Sequence, residues 1–386
     1  MSFYDSLRAI SGWRGRGFDV LIGALAVLGH APFHLWPVTI VCFAILMNRL
    51  DFARNKSAGG FGRGFWFGLG YFLFGTFWIG SAFIVRGPEF IPAMPPMILG
   101  LAALLAFFWG IAGWLYTRLF GSGLLRWAGL AALLTIAEFA RGHLLGGFPW
   151  NLPGYIFEAG GAFSQTAAYA GIYGLSFIVF ILSAAIAKLM NDRRPVLMGG
   201  IALALCFSMF GLGTYRLSQS QPAFVDNVKI RIVQVPFSQK EKFDPDKSIA
   251  IVNDFLRLSI DPGLSDITHL VWPEGAVVGM ALENRPLLKA MGQLLSSQTE
   301  TPPFWLLNTL RYELEPVPGK APRELYYNTS AVVAFDNIGT PVVTRMNDTR
   351  RLVPFGEFFP GGRFVEELGS KTLSTSLASI TPAPEK

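Results

Sequence analysis

Charge is scarce in this chain. Of its 386 residues only 15% are Asp, Glu, Lys or Arg, while 52% are hydrophobic and 14% aromatic; ordinary globular domains carry about 25% charged residues. With its apolar residues gathered into long blocks, that balance excludes an ordinary single soluble domain. The shortage of polar sequence also excludes a disordered chain. Cysteine is nearly absent. The two present, Cys42 and Cys206, lie inside apolar blocks, so no disulfide framework is expected. Neither a metal nor a cofactor is expected. The net charge of +6, from 32 Lys and Arg against 26 Asp and Glu, raises the question of a nucleic-acid partner. In the first half, however, the charges sit in short gaps between apolar blocks, where membrane topology accounts for them. No nucleic-acid partner is therefore expected.

What is present in quantity is apolar sequence. The blocks run over residues 20–29, 35–47, 64–85, 97–116, 127–137, 167–187 and 196–212. Roughly 20 apolar residues are needed to cross the hydrocarbon core, so the longer blocks qualify and the first two are individually short. Basic residues decide how to count them. If the first two blocks are separate helices, one side collects Arg8, Arg14, Arg16, Arg49, Arg54, Lys56, Arg63, Arg118, Arg126, Lys188, Arg193 and Arg194. The short loops of the other side hold Arg86 and Arg141. That asymmetry predicts seven helices with the N-terminus cytoplasmic, and places everything after Leu212 outside the cytoplasm. The N-terminal arginines before an apolar stretch look like a signal peptide. No small-residue cleavage site follows, and the segment reads as an uncleaved first span.

Within the spans, Gly64 and Gly68 have the small-xxx-small spacing of closely packed helices. Trp66, Trp78, Trp109 and Trp114 either line a lipid cavity or, as the plainer reading, are interfacial aromatics. Glu138 and Arg141, spaced i, i+3 near a helix end, are costly at membrane depth unless paired or functional. The following Gly146-Gly147-Phe148-Pro149-Trp150-Asn151 breaks the helix, as a loop dipping into the outer interface or as a plain connecting turn.

After Tyr215 the pattern changes. Alternation predicts strands over 229–235, 269–272 and 304–310, and a strand pair over 327–335 and 341–344 turned at 336–339. Helical spacing of Ile249, Val252, Phe255 and Leu256 predicts a helix over 246–258, and a proline in the first turn starts another over 286–295. Strands alternating with helices indicate layered α-β architecture. Glu274, after Trp272-Pro273 at a strand end, stands where such sheets place reactive groups; a solvated carboxylate is the plainer alternative. Glu357, in the apolar string 352–360 (LVPFGEFFP), is a second carboxylate suited to proton handling or to an ion pair with Arg350 or Arg351.

These residues resemble the apolipoprotein N-acyltransferase family of bacterial inner membranes. The matching strings are Ala31-Pro32-Phe33, residues 64–81, residues 138–155 around Gly147-Phe148-Pro149-Trp150, and residues 171–176. Further along they are Val233-Gln234, Trp272-Pro273-Glu274, Tyr327-Asn328 and residues 352–360. The resemblance implies a multi-pass α-helical membrane domain of about seven helices (1–215) followed by a nitrilase-like α-β-β-α sandwich on the periplasmic face (222–386). It implies transfer of an acyl chain from a phospholipid to the N-terminal lipid-modified cysteine of an apolipoprotein, with membrane lipids as further contacts and the protein a monomer. In the family a cysteine thiolate carries the acyl group as a thioester, a Glu is the general base and a Lys stabilises developing charge. Glu274 matches the base and Glu357 a further functional glutamate; Phe243 and Asn328 fall at substrate-binding positions, Phe243 where the family commonly has Trp.

Two departures follow from the same comparison. Thr349 occupies the position of the family's lysine, and Arg350, one residue along a strand, points to the other face. The nucleophilic cysteine is missing from the second half, and residues 377–386 resemble the segment shortly before it. The expectation is therefore a C-terminally incomplete sandwich and a chain inactive as it stands. The alternative is a non-catalytic relative that binds phospholipid or lipoprotein. A membrane-anchored amidase needs the same cysteine, and a transporter needs paired charges near the bilayer midplane.

Overall fold

Each apolar block of the first half forms a helix. A computed structural model describes residues 10–53, 57–121, 125–190, 195–221, 223–242, 244–319, 321–352 and 380–383. Two compact units, Met1–Gln221 and Pro222–Lys386, make up the chain. In the first, the long helices are α1 (Gly12–Ala26), α2 (Trp36–Phe52), α3 (Ser57–Thr76), α4 (Met94–Leu119), α5 (Leu125–His143), α6 (Ala167–Leu189) and α7 (Pro195–Gln219). Among the described residues, five helical stretches are long and apolar enough to cross a membrane: Gly59–Val85, Pro88–Leu119, Leu125–Gly146, Phe163–Leu189 and Leu197–Gln219. The first two helices, of 15 and 17 residues, are about 23 and 26 Å long at 1.5 Å per residue, short of the roughly 30 Å core.

Close backbone approach joins α3 to α4. A Cβ on Gly64 would lie 2.3 Å from the Trp109 carbonyl oxygen, and one on Gly113 would lie 2.4 Å from the Gly60 carbonyl oxygen; only glycine admits this contact, as the small-residue spacing predicts. The interior is aromatic. Phe43, Phe67, Tyr71 and Phe72 surround Trp109 at centroid distances of 4.9 to 5.8 Å. Phe74, Ile136, Leu203 and Phe207, by contrast, are each more than half exposed on the outer helix faces. Such an inside-and-outside apolar surface suits lipid rather than water, and the unit is a multi-pass α-helical membrane domain.

Not every basic residue counted as a loop charge is one. Arg49 lies in the last turn of α2 with its side chain 1% exposed, and its guanidinium grips both carboxylate oxygens of Asp19. Arg126, at the start of α5, pairs with Asp51 at 2.8 Å. These charges are held by partners, which is how a helical unit in lipid tolerates them.

Among its described residues the second unit forms a five-stranded sheet in the order β1 (Ile230–Ile232), β2 (His269–Val271), β3 (Phe304–Glu315), β4 (Arg323–Phe335) and β5 (Pro341–Asp348). The first three strands run parallel and the last three antiparallel. Between the strands lie a one-turn helix α8 (Gln239–Lys242), α9 (Pro245–Ser259) and α10 (Arg285–Gln298). Ile251 and Phe255 of α9, and Leu287, Met291 and Leu295 of α10, recur at helical spacing and pack on Trp305, Leu307, Ala331 and Val333 of the sheet. The intervening strand residues face the other way, where Ile230, Ile232 and Phe304 are exposed. One helical layer on one sheet layer is thus present, part of the expected nitrilase-like sandwich.

The predicted strands fall in place, with altered ends. The strand expected over 229–235 pairs only at Ile230–Ile232, although Val233 and Val235 stay buried. Strands β3 and β4 continue as a hairpin through Glu315 and Arg323, beyond where their alternation of buried and exposed residues fades.

Candidate functional site at the rim of the sheet

Strand β2 delivers Glu274 to the sheet rim through an anchored tryptophan. Trp272 is buried between Phe255 and Trp305, both at 4.9 Å, and its indole N–H donates to Ser259 Oγ at 2.9 Å. The chain then turns: the Ala276 amide donates to the Pro273 carbonyl at 3.1 Å, and Gly275 takes φ of +81°, the left-handed region a glycine enters without a Cβ penalty. Glu274 is left exposed just before this glycine.

Strand β4 meets it there. Asn328 Nδ2 donates to Glu274 Oε1 at 3.2 Å, while its Oδ1 accepts from Asn308 Nδ2 of β3 at 2.8 Å. The three side chains form a polar relay from the end of β2 across the middle of β3 and β4. Thr349 joins through its backbone, its amide donating to the Asn328 carbonyl at 2.9 Å. The structure therefore brings together Glu274, Asn328 and Thr349. Glu357 and Phe243 lie outside the described residues. Asn308 was not singled out by sequence reasoning, because its role appears only when β3 and β4 pair. A cavity of about 690 Å³ opens beside these residues, lined by Pro273, Glu274, Asn308, Ser330, Arg345 and Asn347 among others.

Behind the relay, on the opposite face of the sheet, lies Asp348. Arg311 holds it through Nε at 2.8 Å and Nη2, and Thr329 Oγ1 donates at 2.6 Å. The Arg311 hydrogen bonds keep this carboxyl below the usual carboxylate range despite partial burial. Among the described residues no group of three His, Cys, Asp or Glu side chains converges to hold a metal ion.

A second polar cluster belongs to the helical unit. Glu138 accepts from Trp109 Nε1 at 2.7 Å and from Arg141 Nε and Nη2 at 2.7 and 2.6 Å, with the acid and base side chains sealed from solvent. Trp109 is fully buried, which corrects its reading as an interfacial aromatic: its N–H is needed inside to satisfy Glu138. Arg141 Nη1 also donates to the Phe148 carbonyl at 2.6 Å, and the Phe148 amide returns a bond to the Arg141 carbonyl at 2.8 Å. Tyr71 donates to the Asn151 carbonyl, and Asn151 Nδ2 to that of Gly75. The glycine-rich loop after α5 is thus clamped at both ends by buried donors. The pair is paired, as its cost at membrane depth requires.

Residues 22–185 match the model of the apolipoprotein N-acyltransferase N-terminal domain. Along nearly its whole length the chain is similar to curated apolipoprotein N-acyltransferases. It is 33% identical over 377 residues to that of Caulobacter vibrioides, covering 96% of this chain and 69% of the relative. To that of Rhodopseudomonas palustris it is 33% identical over 372 residues, covering 93% and 68%. To that of Bradyrhizobium diazoefficiens it is 33% identical over 395 residues, covering 97% and 72%. On this similarity, and with the helical and sheet units described above, the chain belongs to the apolipoprotein N-acyltransferase family.

Proposed function

We propose that the protein acts in lipoprotein maturation, moving an acyl chain from a membrane phospholipid to the α-amino group of the lipid-modified N-terminal cysteine of an apolipoprotein. The observation that carries this reading is the Glu274 carboxylate, exposed at the sheet rim, met by Asn328 and lining a cavity. Acyl transfer needs a base that takes a proton from the attacking group and returns it to the leaving group. Glu274 has the access for this, and the hydrogen bond from Asn328 limits its rotation.

In this reading the reaction runs through a thioester. Residues 222–386 contain no cysteine, and Cys42 and Cys206 lie in helices of the membrane domain. The described part of the sheet unit supplies the base and its orientation, and the thiol is not among its residues. Glu357 is proposed as a second functional carboxylate and Phe243 as a lipid-facing group. Domains of 1–215 and 222–386, a cytoplasmic N-terminus and a periplasmic sheet unit on the inner membrane complete the proposal, supported by the one-sided distribution of basic residues. The protein is read as a monomer without a nucleic-acid partner.

The test uses this chain extended with the C-terminal part of the Caulobacter vibrioides relative, in phosphatidylethanolamine vesicles with a diacylglyceryl lipopeptide. Mass spectrometry should show N-acylated lipopeptide with the extended chain and at least about 10²-fold less after Glu274→Gln. An extended Gln variant with full activity would remove Glu274 from the reaction.

A further inference from the structure

The position matching the family's lysine is Thr349, and a threonine carries no charge. A lysine reaches the candidate base from elsewhere in the fold. We infer that Lys242, at the end of α8, is the cationic positioning residue of Glu274. This deepens the proposed function and rests on it for its catalytic meaning.

The backbone of Lys242 is held on both sides. Ser238 and Glu241 cap α8 reciprocally: the Glu241 amide donates to Ser238 Oγ at 3.2 Å, and the Ser238 amide and hydroxyl donate to Glu241 Oε2 at 2.9 Å. These bonds, the backbone one first and with help from Lys247, bring the Glu241 carboxyl down to about 2. The Lys242 amide closes the turn on the Ser238 carbonyl at 3.1 Å. Two residues on, Asp244 caps α9 by accepting from the Asp246 amide at 3.0 Å.

From that fixed point the side chain reaches the turn that carries Glu274. A Cβ on Gly275 would lie 2.6 Å from Lys242 Nζ, so the missing side chain at Gly275 is the seat of the ammonium. Gly275 therefore serves twice, in the positive φ of the turn and in the room it leaves next to the carboxylate. Burial lowers the Lys242 pKa, and attraction to Glu274 opposes that fall. The other charges nearby are accounted for. Glu241 on the same helix is engaged by Ser238 and by Lys247 at 3.1 Å. Arg345 of β5 lines the cavity that Glu274 also lines. Asn328 approaches Glu274 from β4, and Lys242 approaches the turn after β2 from the end of α8.

The inference is tested on the full chain in lipid nanodiscs by nitrogen NMR with labelled lysine, the Lys242 ammonium signal assigned by its loss in Lys242→Met. Glu274→Gln should lower the midpoint of the Lys242 ammonium, because it removes the attraction that opposes the effect of burial. Glu241→Gln, which removes the neighbouring carboxylate on the same helix, should leave that midpoint nearly in place. An unmoved ammonium in Glu274→Gln, or an equal fall in Glu241→Gln, would overturn the pairing. None of these readouts requires acyl transfer, so the pairing and the proposed reaction can fail separately.

Discussion

In the helical unit the carboxylate of Glu138 takes hydrogen bonds from Trp109 and twice from Arg141 and is closed to solvent. In the sheet unit the carboxylate of Glu274 is exposed, lines a cavity and is met by Asn328 at 3.2 Å. The two glutamates differ in access and in what remains to be satisfied. A sealed carboxylate with its donors in place cannot exchange protons with a substrate, and its work is to hold Arg141 and, through it, the loop at Phe148. An exposed carboxylate with room beside it can exchange them. The comparison teaches that an acidic residue at membrane depth and one at a sheet rim have to be judged by partners and access, since residue type alone does not separate structure from chemistry.

The largest break in that comparison should come from Glu138→Gln. It leaves the Arg141 guanidinium buried without its counter-charge, a loss of about 3–5 kcal/mol, visible as a lower melting temperature in detergent. Gly64→Ala tests the packing that encloses the same site. Its new Cβ would press on the Trp109 backbone, costing about 1–3 kcal/mol; a neutral result would mean α3 and α4 separate easily. Asp348→Asn in the sheet unit should cost about 1–2 kcal/mol, because the Arg311 bond is partly open to water. Its pH dependence has a definite sign. The folded pKa of Asp348 lies below its unfolded value near 3.8, so the stabilisation is complete above that value and is lost as pH falls through the lower, folded one. The variant should therefore melt closer to the parent in strong acid than at neutral pH. Smallest, and opposite in sign, is Gly62→Ala. Nothing lies within 4 Å of the new methyl, and the helix should gain about 0.5 kcal/mol.

Much of the fold was legible because apolar blocks of helical length leave little choice. All seven blocks became helices, and the spacing of Phe255 with its neighbours on α9 named the face that packs on the sheet. The rim position of Glu274 followed from Trp272-Pro273 at a strand end. What stayed hidden depended on tertiary contact. Asn308 gained meaning only by lying diagonally across from Asn328, and Lys242 only because Gly275 leaves it a seat 33 residues along the chain. The Ser238-to-Glu241 spacing was a readable capping signal that would have marked α8 and drawn attention to its last residue. Trp109 was misread because an indole near apolar sequence suits an interface equally well until its N–H is seen to meet Glu138.

The central claim is that Glu274 serves chemistry and Glu138 serves structure, and the most direct test measures rate and melting temperature together. In the chain extended with the relative's C-terminal part, Glu274→Gln should reduce acyl transfer by about 10²- to 10⁴-fold with an unchanged melting temperature. An undiminished rate, or a loss of rate that merely follows a fall in melting temperature, would contradict it.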